Sequence, residues 1–195
     1  MSQQVIHLDF VSLSPAAGPE AREHLLEAAS QLATLPHVLS LGAIDAGAGP
    51  ETRSDFDLVF YFLLPEFTAL EPFGTDSRYT GFLQGEIAPR LKAFAGVDVS
   101  VDVSLDADLL TGGAYATCVA LMAPDETYDW EVREALQAWC DTAAPATSTG
   151  GLAVGEKQLY RGAALAFAAA PLSVPRPDAS RFRTTLIAGT VRALA

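Results

Sequence analysis

The stretch Ser54–Phe67, SDFDLVFYFLLPEF, constrains the fold more than any other part of the chain. Phe56, Leu58, Phe60, Phe62 and Leu64 fall on one face of a strand at period two, and Asp57, Val59, Tyr61 and Leu63 on the other. From Leu58 onward both faces are apolar, the pattern of a strand covered on both sides. Pro65 cannot donate to a ladder and closes it. The rest of the chain has to supply a layer for each face.

Val5–Leu13, VIHLDFVSL, reads as the first strand, ended by Ser14-Pro15. A helix follows from Pro19, with Ala21, Leu25, Ala28, Leu32 and Leu35 on one stripe and Pro36 at its end. His37–Ala46 reads as a second strand leading into the stretch above. A short helical piece at Glu66–Glu71 precedes a helix over about Tyr79–Phe94. Val97–Leu105 then alternates valines with Asp and Ser, a strand with one wet face. The segment DADLLTGG, 106–113, reads as a linker, after which the pattern restarts. Ala114–Ala123 is a strand ending at Pro124, as the first ends at Pro15. A helix with the stripe Val132, Leu136, Trp139 and Ala143 follows, then the small-residue loop APATSTGG. Leu152–Tyr160 and Ala163–Ala170 read as a hairpin closed by Pro171, the counterpart of Pro65. A final helix is expected over about Asp178–Leu194, which leaves the second half without a fourth strand.

The order strand-helix-strand-strand-helix-strand over residues 1–105 is the ferredoxin-like arrangement, with 114–195 as a second copy lacking its last strand. The bare sheet faces must be buried, so the expected fold is α+β: two ferredoxin-like repeats whose antiparallel sheets pack as a pseudo-dimeric α+β barrel.

Composition narrows the partners. A net charge of −12 and scattered basic residues, with Lys92 and Lys157 the only lysines, argue against nucleic acid and fit a solvated acidic surface. No run reaches the roughly 18 apolar residues of a membrane span. MSQQVIHLDF lacks the layout of a signal peptide, so a cytoplasmic location is expected. Cys118 and Cys140 have no CxxC or histidine-rich surroundings and read as free thiols. DFD at 55–57 and DVSVD at 98–102 read as wet strand faces, so no metal site is expected, and no glycine-rich phosphate loop points to a cofactor.

Residues 4–103 resemble the stress-responsive A/B barrel (Dabb) family, a branch of the dimeric α+β barrel superfamily. The resemblance rests on His7 in VIHLDFV, the passage LATLPHVLSLG, SDFDLVFYF, and ALEPFGTDSRYTGFL ahead of a helix. It implies pairing through sheets, here a fused dimer within one chain, with a homodimer of the whole chain left open. Some relatives are polyketide cyclases. For these the resemblance implies a cavity lined by a first-strand histidine, a third-strand polar residue and a Tyr-x-x-His-x-x-His segment. Those positions fall on His7, on Asp57, and on Phe73, Asp76 and Tyr79, so the tyrosine and both histidines of the segment are replaced.

The remaining chemistry centres on His7, Asp57 and Tyr79 as candidate catalytic residues. The carboxylate would orient the imidazole and the phenol would serve as acid or hydrogen-bond donor. Tyr61, Phe73, Asp76 and Phe82 are candidate ligand-binding residues. His7, Asp57 and Tyr61 share odd parity on neighbouring strands and are expected on one face. The favoured reading is a protein that holds a small apolar or aromatic molecule between sheet and helices, in a stress-related setting. The alternatives are a cyclase-like or cofactor-free monooxygenase-like enzyme with His7 as acid or base, and a bare assembly module.

Overall fold

In a computed structural model of the chain, residues 3–48, 55–101, 115–143, 147–155, 158–172, 177 and 182–194 are described. The proposed linker at 106–113 lies outside them. The first repeat contains β1 (Gln4–Leu13), α1 (Ala21–Ser30), β2 (Ser40–Asp45), β3 (Leu58–Leu64), the short helices α2 (Leu70–Thr75) and α3 (Ser77–Gly81), and β4 (Leu91–Val101). The second contains β5 (Tyr115–Met122), α4 (Asp129–Thr142), β6 (Thr147–Leu152), β7 (Gly162–Ala168) and β8 (Arg183–Ala193). All eight strands join one antiparallel sheet in the order β4-β1-β3-β2-β8-β5-β7-β6, the ferredoxin-like order twice over.

The sheet curls until its two ends meet. β2 pairs with β8 from Gly42↔Ala193 to Asp45↔Thr190. At the other seam β4 meets the chain just after β6 through a bridge between Val99 and Ala153, and the Val154 amide donates to the Asp98 carbonyl at 2.8 Å. These two contacts cover the Asp98–Val99 part of the β4 edge. The backbones run close at both seams. A Cβ on Gly151 would collide with the Ser100 carbonyl oxygen, and one on Gly189 with the Asp45 carbonyl oxygen.

Period-two alternation sorts the residues into layers. Leu8, Phe10, Val59, Tyr61, Val97, Val99, Cys118, Leu165 and Ile187 fill the barrel interior. On the outside of the first repeat, Phe60 and Phe62 of β3 pack under Leu25, Leu26, Leu32, Phe73 and Phe82. On the outside of the second, Val119, Leu121, Ala164 and Ala166 pack under Val132, Leu136 and Trp139 of α4. β3 is fully buried along its length, as its two apolar faces require. No helix among the described residues is long and apolar enough to cross a membrane.

Three segments differ from the sequence expectation. The end of the chain is the strand β8, not a helix, so the second repeat has its fourth strand. Thr185, Ile187, Gly189 and Val191 are buried at period two while the residues between them are half-buried, and β-branched Thr, Ile and Val suit that surface. The small-residue stretch Thr147–Leu152 forms β6 and pairs with β7, so the hairpin partner of β7 is this segment and not Leu152–Tyr160. The expected helix over Tyr79–Phe94 breaks into α3, a π-helical turn over Phe82–Ile87 and a 3₁₀ turn over Ala88–Arg90, and β4 begins at Leu91. Pro89 removes a helical donor there and helps end the helix.

The seam geometry makes a contrast testable. Gly151→Ala is expected to cost about 3 kcal/mol because backbone must shift to admit the Cβ. Gly74→Ala in α2, with open space around it, is expected to be neutral or to stabilise by up to about 1 kcal/mol. Chemical denaturation of both variants measures this, and equal effects would contradict closure at the β4–β6 seam.

Candidate functional site

β1 is a central strand, paired with β3 on one side and β4 on the other. Its even residues face the barrel interior, and Val5, His7, Asp9 and Val11 face the helices. Two ionisable side chains, two residues apart, therefore stand on an otherwise apolar helix-facing surface. Register brings further partners beside them: His7 lies opposite Phe62 of β3 and opposite Asp98 of β4.

The imidazole of His7 sits within a closed set of hydrogen bonds. Nδ1 is 2.6 Å from Asp98 Oδ1, and Nε2 is 2.7 Å from the Tyr79 hydroxyl and 3.1 Å from Asp9 Oδ1. The Tyr79 hydroxyl donates to the other Asp9 oxygen at 2.9 Å. Asp98 is also held from the second repeat, through Gln158 Nε2 donating to its Oδ2 at 3.0 Å. Rings wall the imidazole: Phe73 lies 5.2 Å from it, Tyr79 5.6 Å and Phe62 5.8 Å, centroid to centroid. Phe73 and Tyr79 themselves pack at 4.4 Å.

Asp9 is fully buried. The His7 and Asp98 side chains keep 15% and 17% of their surface exposed, so solvent reaches the cluster along that edge. Burial opposes a charge on His7, but the charge of Asp9 and the hydrogen bonds to Asp9 and Asp98 outweigh it, and the pKa is raised from 6.5 to about 10. At neutral pH His7 is an imidazolium with both N–H groups donated. Burial and then the adjacent Asp9 charge push the Tyr79 phenol far up, so it stays neutral.

Three of the seven sequence candidates meet here: His7, Tyr79 and Phe73. Asp76 is close in sequence but plays a different part. It caps α3, accepting from the Arg78 amide at 2.8 Å, and so sets the helix that carries Tyr79. Asp57 is elsewhere. Its Oδ2 accepts from the Leu13 amide at 2.8 Å and its Oδ1 from Arg22, which also pairs with the buried Asp45. The Asp57 amide bonds to the Val11 carbonyl, four residues along β1 from His7, or about 13 Å at ~3.3 Å per residue. Tyr61 points into the barrel, its ring 5.8 Å from that of Phe167, and Phe82 packs on Phe60 in the helix layer. The shared odd parity was misleading because β1 and β3 pair odd with even residues, His7 with Phe62 and Leu8 with Tyr61.

Asp9, Asp98, Phe62 and Gln158 belong to the cluster and were not singled out from sequence. Asp9 carried a signal: it shares the face of His7 between two valines. Asp98 looked like one residue of a wet strand face, and only the β1–β4 register brings it to His7. Two cavities lined by described residues lie away from this cluster. One of about 1,120 Å³ opens at an end of the barrel, and one of about 290 Å³ lies between α4 and β6. Among the described residues no group of three or more His, Cys, Asp or Glu side chains is arranged to hold a metal ion.

No protein-family model matches the chain, and neither does any characterised protein sequence. Solved structures do match. An anthrone oxidase-like protein aligns over 100% of this chain and 94% of its own, with 10% identity and a TM-score of 0.60. A Dabb-family protein with a ferredoxin-like fold from Mesorhizobium loti aligns over 54% of this chain and all of its own, at 15% identity and a TM-score of 0.43. A dimeric ferredoxin-like protein of unknown function from Thermobifida fusca covers 51% of this chain and 92% of its own, at 18% identity and 0.44. The full-length match shows the fold alone, an α+β barrel closed within a single chain.

The charge state of His7 links the cluster to stability. A pKa raised on folding adds stability that is fully present below the unfolded value of 6.5 and is lost as pH rises through about 10. Wild-type protein is expected to lose stability across that window. His7→Gln, less stable at its lower end, is expected to show a shallower profile, with the loss near pH 9 and above left to the buried thiols of Cys118 and Cys140. Urea denaturation at a series of pH values checks this, and parallel profiles would contradict a charged His7.

Proposed function

We propose that the chain is a Dabb-like small-molecule-binding protein that receives a small apolar or aromatic molecule bearing a hydroxyl group at the exposed edge of the His7 cluster. The observation that carries this reading is the charged set Asp98–His7–Asp9 bounded by the rings of Phe62, Phe73 and Tyr79. Perturbed ionisable groups gathered against apolar walls are a common mark of a binding or catalytic site.

The hydrogen-bond inventory says what the ligand must bring. Both N–H groups of His7 are already donated. Asp98 accepts one bond on each oxygen, from His7 and from Gln158, and a carboxylate oxygen has room for a second. The half-buried Asp98 is thus the free acceptor, and a ligand hydroxyl is its natural donor. The aromatic walls suit the body of such a molecule.

One observation favours a second reading, an enzyme with His7 as acid or base. Asp98 on Nδ1 and Tyr79 on Nε2 form a line of the kind that orients a catalytic imidazole. A group with a pKa near 10 keeps its proton at neutral pH, so the role open to it is that of acid. Its conjugate base is largely absent, which favours binding over base catalysis.

A panel of phenols and their methyl ethers separates these cases. A phenol at about 100 times its Kd should add roughly 2.7 kcal/mol of stability, a rise in Tm of about 5 °C or more for a chain of this size. The matched ethers should give no shift, and Asp98→Asn should remove it. Recovery of the phenol unchanged supports binding, and its conversion supports the enzyme. Stabilisation by no member of the panel, or shifts unaffected by Asp98→Asn, would contradict the assignment.

A further inference from the structure

The larger cavity lies on the other side of β1 from the His7 cluster, at the end of the barrel where β1 and β5 finish and β3, β4, β7 and β8 begin. Its volume, about 1,120 Å³, matches or exceeds the roughly 300–1,000 Å³ of small-molecule pockets. Aromatic side chains dominate its apolar lining: Phe56, Phe94, Tyr160 and Phe182. Tyr160 stacks on Phe10 at 5.3 Å, and Phe10 on Phe56 at 5.5 Å, so the floor of the cavity is continuous with the barrel core. At the rim Phe94 is 38% and Leu159 52% exposed, two large apolar side chains left facing solvent beside one opening.

Asp55, Arg183, Thr184, Thr185 and the Tyr160 hydroxyl supply its polar lining. The Tyr160 hydroxyl lies 2.9 Å from Thr185 Oγ1, a buried pair at the wall. Asp55 is engaged, its Oδ2 accepting from the Leu186 amide at 3.2 Å. Arg183 is the one cation among the described lining residues. It is exposed, and its guanidinium has no hydrogen-bonding partner among the described residues. In a chain of net charge −12, the exposed Arg183 stands beside four aromatic rings and presents five donors in a fork suited to a carboxylate or sulfonate.

We propose that the open end of the barrel is a second ligand site, for a flat apolar or aromatic molecule carrying one anionic group that pairs with Arg183. It is independent of the His7 cluster, because Phe10 faces the barrel interior and His7 faces the helices. Nothing in it depends on the phenol reading above.

Two fluorescent probes of the same shape test the proposal on the full chain. 8-Anilinonaphthalene-1-sulfonate carries two aromatic systems and a sulfonate, and N-phenyl-1-naphthylamine is the same body without the charge. Both are expected to bind saturably at one site. Arg183→Gln, at an exposed position, is expected to weaken the sulfonate probe about tenfold, the scale of one lost charge-assisted hydrogen bond, and to leave the neutral probe within about twofold. Ala93→Trp, which places a large ring in the opening, is expected to weaken both, and Asp98→Asn neither. Absence of saturable binding, or binding unchanged by Arg183→Gln and by Ala93→Trp, would overturn the site. Equal weakening of both probes by Arg183→Gln would overturn the pairing with an anion. Weakening by Asp98→Asn instead would assign the probes to the His7 cluster and overturn the independence of the two sites.

Discussion

Each four-stranded sheet in this chain has a face that its own helices do not cover, and the two faces bury each other. That mutual burial dictates most of the remaining architecture. It makes both faces of β3 apolar, brings Tyr61 and Phe167 together inside the barrel, and forces the backbones at the seams close enough that Gly151 and Gly189 have no room for a Cβ. A ferredoxin-like unit alone would leave that surface open to water. Joining two units in one chain supplies the cover without a second molecule.

The same arrangement sets the chemistry of the His7 cluster. With the barrel side of β1 given to apolar packing, ionisable residues on the strand have only the helix side, and there His7 and Asp9 are buried together. A buried carboxylate needs a counter-charge, and His7 supplies it while Tyr79 satisfies the remaining oxygen. Asp98 completes the set from β4 and is itself braced by Gln158 and Val154 across the seam. The second repeat therefore supports a site built in the first. It holds no copy of that site on β5: the helix-facing residues there are Tyr115, Thr117, Val119 and Leu121, without a histidine or a carboxylate. The two repeats share a fold and differ in equipment.

Much of the architecture could be read from the chain because its strongest signals are local. The two-sided apolar run of β3, the stripe of α1 and the Val132–Leu136–Trp139 stripe of α4 each depend on periodicity alone. β8 and β6 were harder for opposite reasons. RTTLIAGTVRA mixes threonine, glycine and arginine in a way that blurs its period of two, and TSTGGL has the composition of a loop. The candidate site was legible only in part. His7, Phe73 and Tyr79 stand at positions the Dabb resemblance points to. The grouping with Asp57 and Tyr61 failed because strand register is a long-range property. The true partners, Asp9 and Asp98, become visible once β1 is aligned with β4 and its helix-facing side is known.

His7 is held as a cation between two carboxylates, among the rings of Phe62, Phe73 and Tyr79. Imidazole nitrogen chemical shifts followed by NMR across a pH series test it most directly, with His7→Gln used to assign the signal. The His7 ring is expected to keep both protons through neutral pH and to titrate near 10, and Asp9→Asn is expected to move this midpoint down. A His7 ring that titrates at or below 6.5, or one that is a neutral tautomer at pH 7, would contradict it.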